Sequence, residues 1–354
     1  MMRDKRFLTT LVAAFFLFVS SLIIGLTPTR FVAWQPGQAV DILGSDSAQA
    51  LKIEGAATYE TSGQLLLTTV KATGSNSNLS LAQALIAYFK KDSQVLPRSY
   101  VAPLEPSSSS KKTRDRLEDE RNKQMSESQD AALVAALKLA GLPVEQTVQV
   151  TRVSNSGPAS DKLAVGDTIL SMNGASIKKK ADIQTILGTL RPGDELEIVL
   201  NRKGEEITVK VPTVAGKENP QAARLGVEFS ESYKHAASVK FKLDSEISGS
   251  SAGLPFALGA YDLLTPEPVI DGRVVAGTGK ILPSGEVSAV GGIRQKISAA
   301  EDAGAAIFLI PAGNCVDVEG KTSMRLVKIT KLGDAVSSLK LLKDPANNEM
   351  VPTC

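Results

Sequence analysis

Ser251 stands in Gly249-Ser250-Ser251-Ala252-Gly253, and the apolar run LPFALGAYDLL follows at once. A proline at the head of such a run is tolerated in the first turn of a helix. The serine therefore sits where a loop enters a helix. Backbone N–H groups are unpaired at that point and the helix dipole is positive, so an oxyanion formed there would be stabilised. The pentapeptide also fits the G-x-S-x-G elbow of α/β-hydrolases, which need a histidine downstream of the serine. The chain has one histidine, His235, and it precedes Ser251. A serine nucleophile here needs a different base.

Lysine can be that base. Its free pKa of about 10.4 falls when apolar surroundings disfavour the ammonium, and a neutral amine can take a serine proton. Most lysines after Ser251 lie in polar or terminal stretches. Lys296 is different: it follows Val290-Gly291-Gly292-Ile293 and shares a helical face with Ile293, Ile297 and Ala300. Arg294, its neighbour in the same helix, is always charged and cannot serve.

Composition removes other chemistries. The 354 residues suit two or three domains. Lys and Arg total 40 against 38 Asp and Glu, and aromatics are 5%, so neither charge nor stacking surface favours nucleic acid. One histidine and two cysteines cannot build a His-rich or Cys₄ zinc site. Gly277-Thr278-Gly279-Lys280 lacks the glycine spacing and the Ser/Thr of a phosphate loop. The sequence calls for no cofactor and no metal.

The elements that must position these residues begin with Phe7 to Leu26, twenty residues without a charge. At about 1.5 Å per residue they match a bilayer core of about 30 Å. Arg3, Lys5 and Arg6 precede the run, which puts the amino terminus in the cytoplasm and the bulk of the chain outside. A cleaved signal peptide has a shorter apolar region and a small-x-small site. The expectation is a single-pass anchor over residues 1–30. Outside the cytoplasm disulfides persist, and Cys315 and Cys354 are the one available pair. A bridge between them would pin the tail, residues 344–354.

Residues 31–122 read as an extracytoplasmic region and linker. Gln35-Pro36-Gly37 reads as a turn, Ile53–Val70 as two strands, and Ser80 caps a helix with Leu81, Leu85 and Tyr88 on one face. EPSSSSKKTRDRLEDER is polar and charged, as a solvated linker or exposed helix start is. Residues 123–215 open with an Ala-rich helix closed by Gly141. The alternating strand TVQVTRV follows, then a helix with Ile183, Ile186, Leu187 and Leu190 at helical spacing, then a hairpin across Arg202-Lys203-Gly204.

The words SGPASDKLAVGDTILSMNGASI and RPGDELEIVLNRKGEEITVKV resemble a PDZ domain of the bacterial type. That resemblance implies a peptide laid between the Thr147–Val153 strand and the Ala181–Leu190 helix, against Val148, Val150, Ile183 and Leu187. Gly141-Leu142-Pro143 is the candidate carboxylate loop, and a spacer that binds no peptide is the other reading. GSSAGLPFALGAYDLL, VVAGTGKILPSGEVSAVGGIRQKISAAEDAGA and FLIPAGNC resemble the proteolytic domain of Lon-type serine proteases, here over residues 223–343. The resemblance makes Ser251 the nucleophile, Lys296 the base and Thr278 a threonine that hydrogen-bonds the lysine. Ser250 stands where the family has proline.

Taken whole, the chain resembles the membrane-anchored PDZ–Lon proteases of bacteria. The fold expected is α+β multidomain: one transmembrane helix, a PDZ-like β domain and a Lon-type α/β domain. The function expected is ATP-independent endoproteolysis of unfolded or tail-bearing proteins. Backbone N–H groups of Ser251 and Ala252 would hold the oxyanion, and a peptide would occupy the PDZ domain. A ring of identical subunits is implied by the family. The alternative is a PDZ adaptor at the membrane with a non-proteolytic Lon-like domain.

Overall fold

The computed structural model describes residues 2–44, 51–73, 79–101, 111–216, 218–242, 247, 249–318 and 320–354. In chain order the helices are α1 (Met2–Leu26), α2 (Leu81–Phe89), α3 (Arg98–Val101), α4 (Lys111–Leu139), α5 (Lys180–Thr189), α6 (Gly253–Leu264), α7 (Ile293–Asp302) and α8 (Leu332–Leu341). The strands before the hairpin domain are β1 (Phe31–Asp41), β2 (Leu51–Glu54), β3 (Gln64–Thr73) and β4 (Gln94–Pro97). Next come β5 (Glu145–Val153), β6 (Thr168–Met172), β7 (Ala175–Ser176), β8 (Glu195–Arg202), β9 (Glu205–Pro212), β10 (Val214–Ala215), β11 (Ala223–Arg224) and β12 (Val227–Lys234). The last are β13 (Ser238–Phe241), β14 (Val274–Gly277), β15 (Lys280–Ile281), β16 (Val287–Ser288), β17 (Ile307–Pro311) and β18 (Arg325–Ile329). The chain forms two compact units: Met1–Gly141 with Ala237–Cys354, and Leu142–Ala236.

The first unit is built on a six-stranded sheet in the order β18-β17-β14-β3-β1-β4. β3, β14, β17 and β18 run parallel, whereas β1 is antiparallel to both β3 and β4. Leu65, Leu66 and Leu67 of β3 are all buried. Successive strand residues face opposite sides, so consecutive leucines need cover on both faces. Both covers are present. Gly259 of α6 lies against Leu65, and Leu66 shares a cluster with Ile293 and Ala300 of α7, and with Ala276, Phe308 and Ile310.

Several expectations change here. Residues 31–122 are not a separate region, because β1, β3 and β4 complete the sheet that carries β14 and β17. Gln35-Pro36-Gly37 is no turn: β1 continues through it, with a register shift between Pro36 and Ala39. Gly37 lies within that shift, so close to β3 that a Cβ on it would strike Thr69 Oγ1. The charged stretch from Lys111 is the first part of the long helix α4, while residues 105–110 of the expected linker lie outside the described residues. α4 packs on α6 and falls in the first unit, rather than with the PDZ-like strands. Ser80 caps α2 through a reciprocal box with Gln83. The Leu85–Tyr88 face of α2 nevertheless points outward, and the buried positions are Ala84 and Ala87.

The second unit is a β sheet in the order β12-β5-β6-β8-β9, with β7 beside β6. Alternating residues of its strands fill one core, Val148, Val150, Ile169, Leu196, Ile198 and Leu200 among them, closed by Ile183 of α5.

Cys315 and Cys354 form a disulfide with their Cα atoms 5.3 Å apart. The tail it holds is ordered: Lys328 N donates to Pro352 O at 3.0 Å, and Thr353 bridges Val327 of β18. Reduction, or Cys354→Ser, is expected to lower unfolding free energy by about 2–4 kcal/mol through freed chain entropy. Denaturant titration of the full chain in detergent, with and without reductant, measures this.

Candidate active site

The nucleophile turn is shaped by glycine. Gly249 has φ 99°, a left-handed conformation, and the one-turn 3₁₀ segment Ser250–Ala252 leads directly into α6. Gly253 allows β15 to approach, since a Cβ there would lie 2.8 Å from Ile281 N and 3.2 Å from Ser128 Oγ. Ser128, from α4, donates to the Ser250 carbonyl at 3.3 Å. The segment after β14 clamps the turn from the other side. Gly279 N donates to Ser251 O at 2.9 Å, Leu254 N donates to Gly279 O at 2.9 Å, and Thr278 Oγ1 donates to Ser251 O at 3.0 Å.

Lys296 arrives on the first turn of α7. Gly292 starts that helix at φ 72°, and a Cβ on it would strike Val70 Cγ2 at 2.5 Å. Only glycine lets the helix begin this close to β3. Lys296 Nζ then lies 2.8 Å from Ser251 Oγ and 2.8 Å from Thr278 Oγ1. α6 and α7 cover opposite faces of the sheet, so their amino-terminal turns meet beyond the carboxyl end of β14, where α/β sheets commonly place their sites. Thr278 is 0% and Lys296 3% exposed, whereas Ser251 is half-buried and open to solvent on one side.

The electrostatics follow from this burial. Among the described residues no carboxylate compensates the ammonium, and desolvation pulls the Lys296 pKa from 10.5 down to about 7. The hydrogen bonds then orient the neutral amine. Thr278 has a single hydroxyl hydrogen, given to the Ser251 carbonyl, so it must accept an N–H from Lys296. That leaves the amine lone pair for the Ser251 O–H.

Residues 245–338 match the Lon protease (S16) C-terminal proteolytic domain, and residues 118–213 match the PDZ domain. The chain carries a PDZ domain and a Lon-type proteolytic domain. It is 32% identical over 178 residues to Lon protease of Clostridioides difficile (strain 630), a match covering 44% of this chain and 21% of that protein. It is 40% identical over 74 residues to the probable periplasmic serine endoprotease DegP-like of Pseudomonas putida (strain W619), covering 20% of this chain and 15% of that one. A solved PDZ domain of the SdrC-like protein from Listeria monocytogenes is 22% identical, with a TM-score of 0.22 over 23% of this chain and 85% of that one. The chain spans about a fifth of the length of the Lon proteases it matches.

In the PDZ domain the expected peptide contacts separate. Val148 and Val150 are core residues of β5, and β5 is hydrogen-bonded on both edges, to β12 and to β6. Along Val148–Val150 it has no edge left to take a peptide strand. Ile183 points into the same core, at 2% exposure. Leu187 alone of the four lines a cavity of about 460 Å³, with Gln184 of α5, Leu190 just after that helix, and Ala223 and Arg224 of β11. Among the described residues β12 pairs only with β5, so its outer edge is open. Leu225-Gly226-Val227 leads into that strand, with Gly226 at φ 70°. The sequence signal was present, a glycine between apolar residues ahead of an alternating strand, but the alternation of TVQVTRV was the stronger one. Ser128 was also missed, since a serine in an Ala-rich helix carries no mark of its partner.

The Lys296 pKa makes stability depend on pH. Between pH 10.5 and about 7 the unfolded chain binds the lysine proton and the native chain resists it. This residue's contribution therefore becomes unfavourable as pH falls through that window and stays so below it. Lys296→Met should be more stable than the parent at pH 6 and nearly equal to it at pH 10, as thermal unfolding in detergent at the two pH values will measure.

Proposed function

We propose that this protein is a serine endopeptidase working through a Ser251–Lys296 dyad, anchored by α1 with its bulk outside the cytoplasm. The observation that carries the reading is the buried Lys296 amine within 2.8 Å of the Ser251 hydroxyl. The matched Lon-type domain supports the reaction class. The apolar Phe7–Leu26 span, none of it buried, supports the anchor, and the likeness of part of the chain to a protein described as periplasmic fits the compartment.

In the proposed mechanism Ser251 Oγ attacks the carbonyl carbon of a peptide bond while Lys296 takes its proton. Charge on the carbonyl oxygen is held by backbone N–H groups of Ser251 and Ala252 at the head of α6. Lys296 then gives its proton to the leaving nitrogen, and the C–N bond breaks. Water, deprotonated by Lys296, then attacks the acyl carbon, and the lysine returns that proton to Ser251 Oγ as the ester C–O bond breaks. Thr278 is a positioning residue, keeping the lone pair on line. These residues include no ATP-binding motif, so unfolded or tail-bearing proteins are the substrate class. The PDZ domain takes a peptide along the open edge of β12, with Leu225-Gly226-Val227 at its end. Assembly into a ring rests on the resemblance to the family.

The test is digestion of an unfolded protein such as casein, followed by mass spectrometry. Ser251→Ala and Lys296→Ala should each abolish the fragments while leaving the chain folded. Fragments that persist unchanged in Ser251→Ala would overturn the dyad.

Only the neutral amine accepts a proton. In the parent, kcat/KM should rise about tenfold per pH unit up to about pH 7 and level above it. Thr278→Val should lower kcat about 10–100-fold and shift that midpoint downward, because the acceptor it loses favours the ammonium, with Thr278→Ser restoring both.

A further inference from the structure

Helix α2 is inverted for a surface helix. It has no charged residue, and Ala84 and Ala87 face inward, with Ala87 packed against Ala33 and Leu79. The large ones face out: Leu85 is 45% exposed, Ile86 70%, Tyr88 70% and Phe89 81%. At about 100° per residue these four occupy a continuous arc of roughly 160°, and Leu81 and Ala82 fall within it. A helix facing water carries polar residues on that arc. This one asks for an apolar medium.

Its place in the fold indicates which medium. The apolar helix α1 ends at Leu26, and the chain just beyond it is bonded to the start of α2. Leu81 N donates to Thr27 O at 2.9 Å, and Thr29 N donates to Leu79 O at 2.7 Å. The Thr29 hydroxyl donates to the same carbonyl at 2.9 Å. The outward face of α2 thus begins where the apolar span stops. Exposed Arg30 and Lys90 sit at the two ends of this junction. Tyrosine and basic side chains beside a large apolar face are the composition of a helix lying at a membrane surface.

We propose that α2 lies in the membrane–water interface at the end of α1, its Leu85, Ile86, Tyr88 and Phe89 side chains among the upper acyl chains of a lipid bilayer. This rests on the reading of α1 as a membrane anchor. α2 packs on β1, a strand of the sheet that carries Thr278. The proteolytic unit is therefore seated on the bilayer, where a free tether would let it swing.

The two native cysteines are bonded to each other, so an introduced cysteine is the only free thiol. Full-length Ile86→Cys, labelled with an environment-sensitive fluorophore, is reconstituted into phosphatidylcholine–phosphatidylglycerol vesicles. Part of the lipid carries a nitroxide quencher high on the acyl chain. Phe18→Cys, inside α1, is labelled in parallel. The expected result is loss of fluorescence at Ile86→Cys comparable to that at Phe18→Cys. Quenching at Phe18→Cys alone leaves the anchor standing and overturns the proposal, whether α2 faces water or a second copy of the chain. No quenching at either position overturns the anchor, and the proposal with it.

Discussion

The site depends on one uncomfortable burial. A lysine amine is held away from water between two hydroxyls, with no carboxylate beside it among the described residues. An ion pair would have kept the amine charged and made it useless as a base. The structure offers hydroxyls, which can take an N–H and give an O–H but cannot neutralise a charge. The cost of desolvation is met by packing elsewhere in the unit, chiefly the two-sided cover of the central strands. The result is an amine that can act as a base near neutrality.

That arrangement explains why distant pieces of the chain are needed. Ser251 and Thr278 are linked through the Ser251 carbonyl, Lys296 enters over Val70 of β3, and Ser128 of α4 braces the turn from outside. Close approach as well as bonding decides the backbone course, and Gly253 and Gly292 mark two of the tight places. The amino-terminal third of the chain holds no dyad residue. It supplies the strand against which the lysine helix starts.

The meeting of Ser251 with Lys296 was legible in the sequence because chemistry restricts the candidates sharply. One misplaced histidine, a serine at a helix entrance and a single lysine on an apolar helical face leave few combinations. Pairing between strands far apart in the chain was not legible. The leucine run of β3 announced burial on both faces, yet nothing local says that its partner is β14, more than two hundred residues later. The same limit misplaced the peptide groove. Alternation identified β5 as a strand, but edge or interior position depends on which neighbours pair with it, and β12 had to be placed before β5 could be seen as enclosed. For α2, helical periodicity gave the apolar face correctly, and only the tertiary fold shows that the face turns away from the core.

The ordered tail has a consequence for a molecule whose proposed clientele is unfolded protein. An unfolded chain is a ready strand donor, and an open sheet margin is a template for it. At the β18 margin that template is already occupied by residues of the same molecule, Thr353 pairing with Val327. The covalent link from Cys354 to Cys315 keeps that strip from peeling away and being replaced. At this margin the tail serves as a built-in competitor, keeping an extended foreign chain from pairing with the sheet.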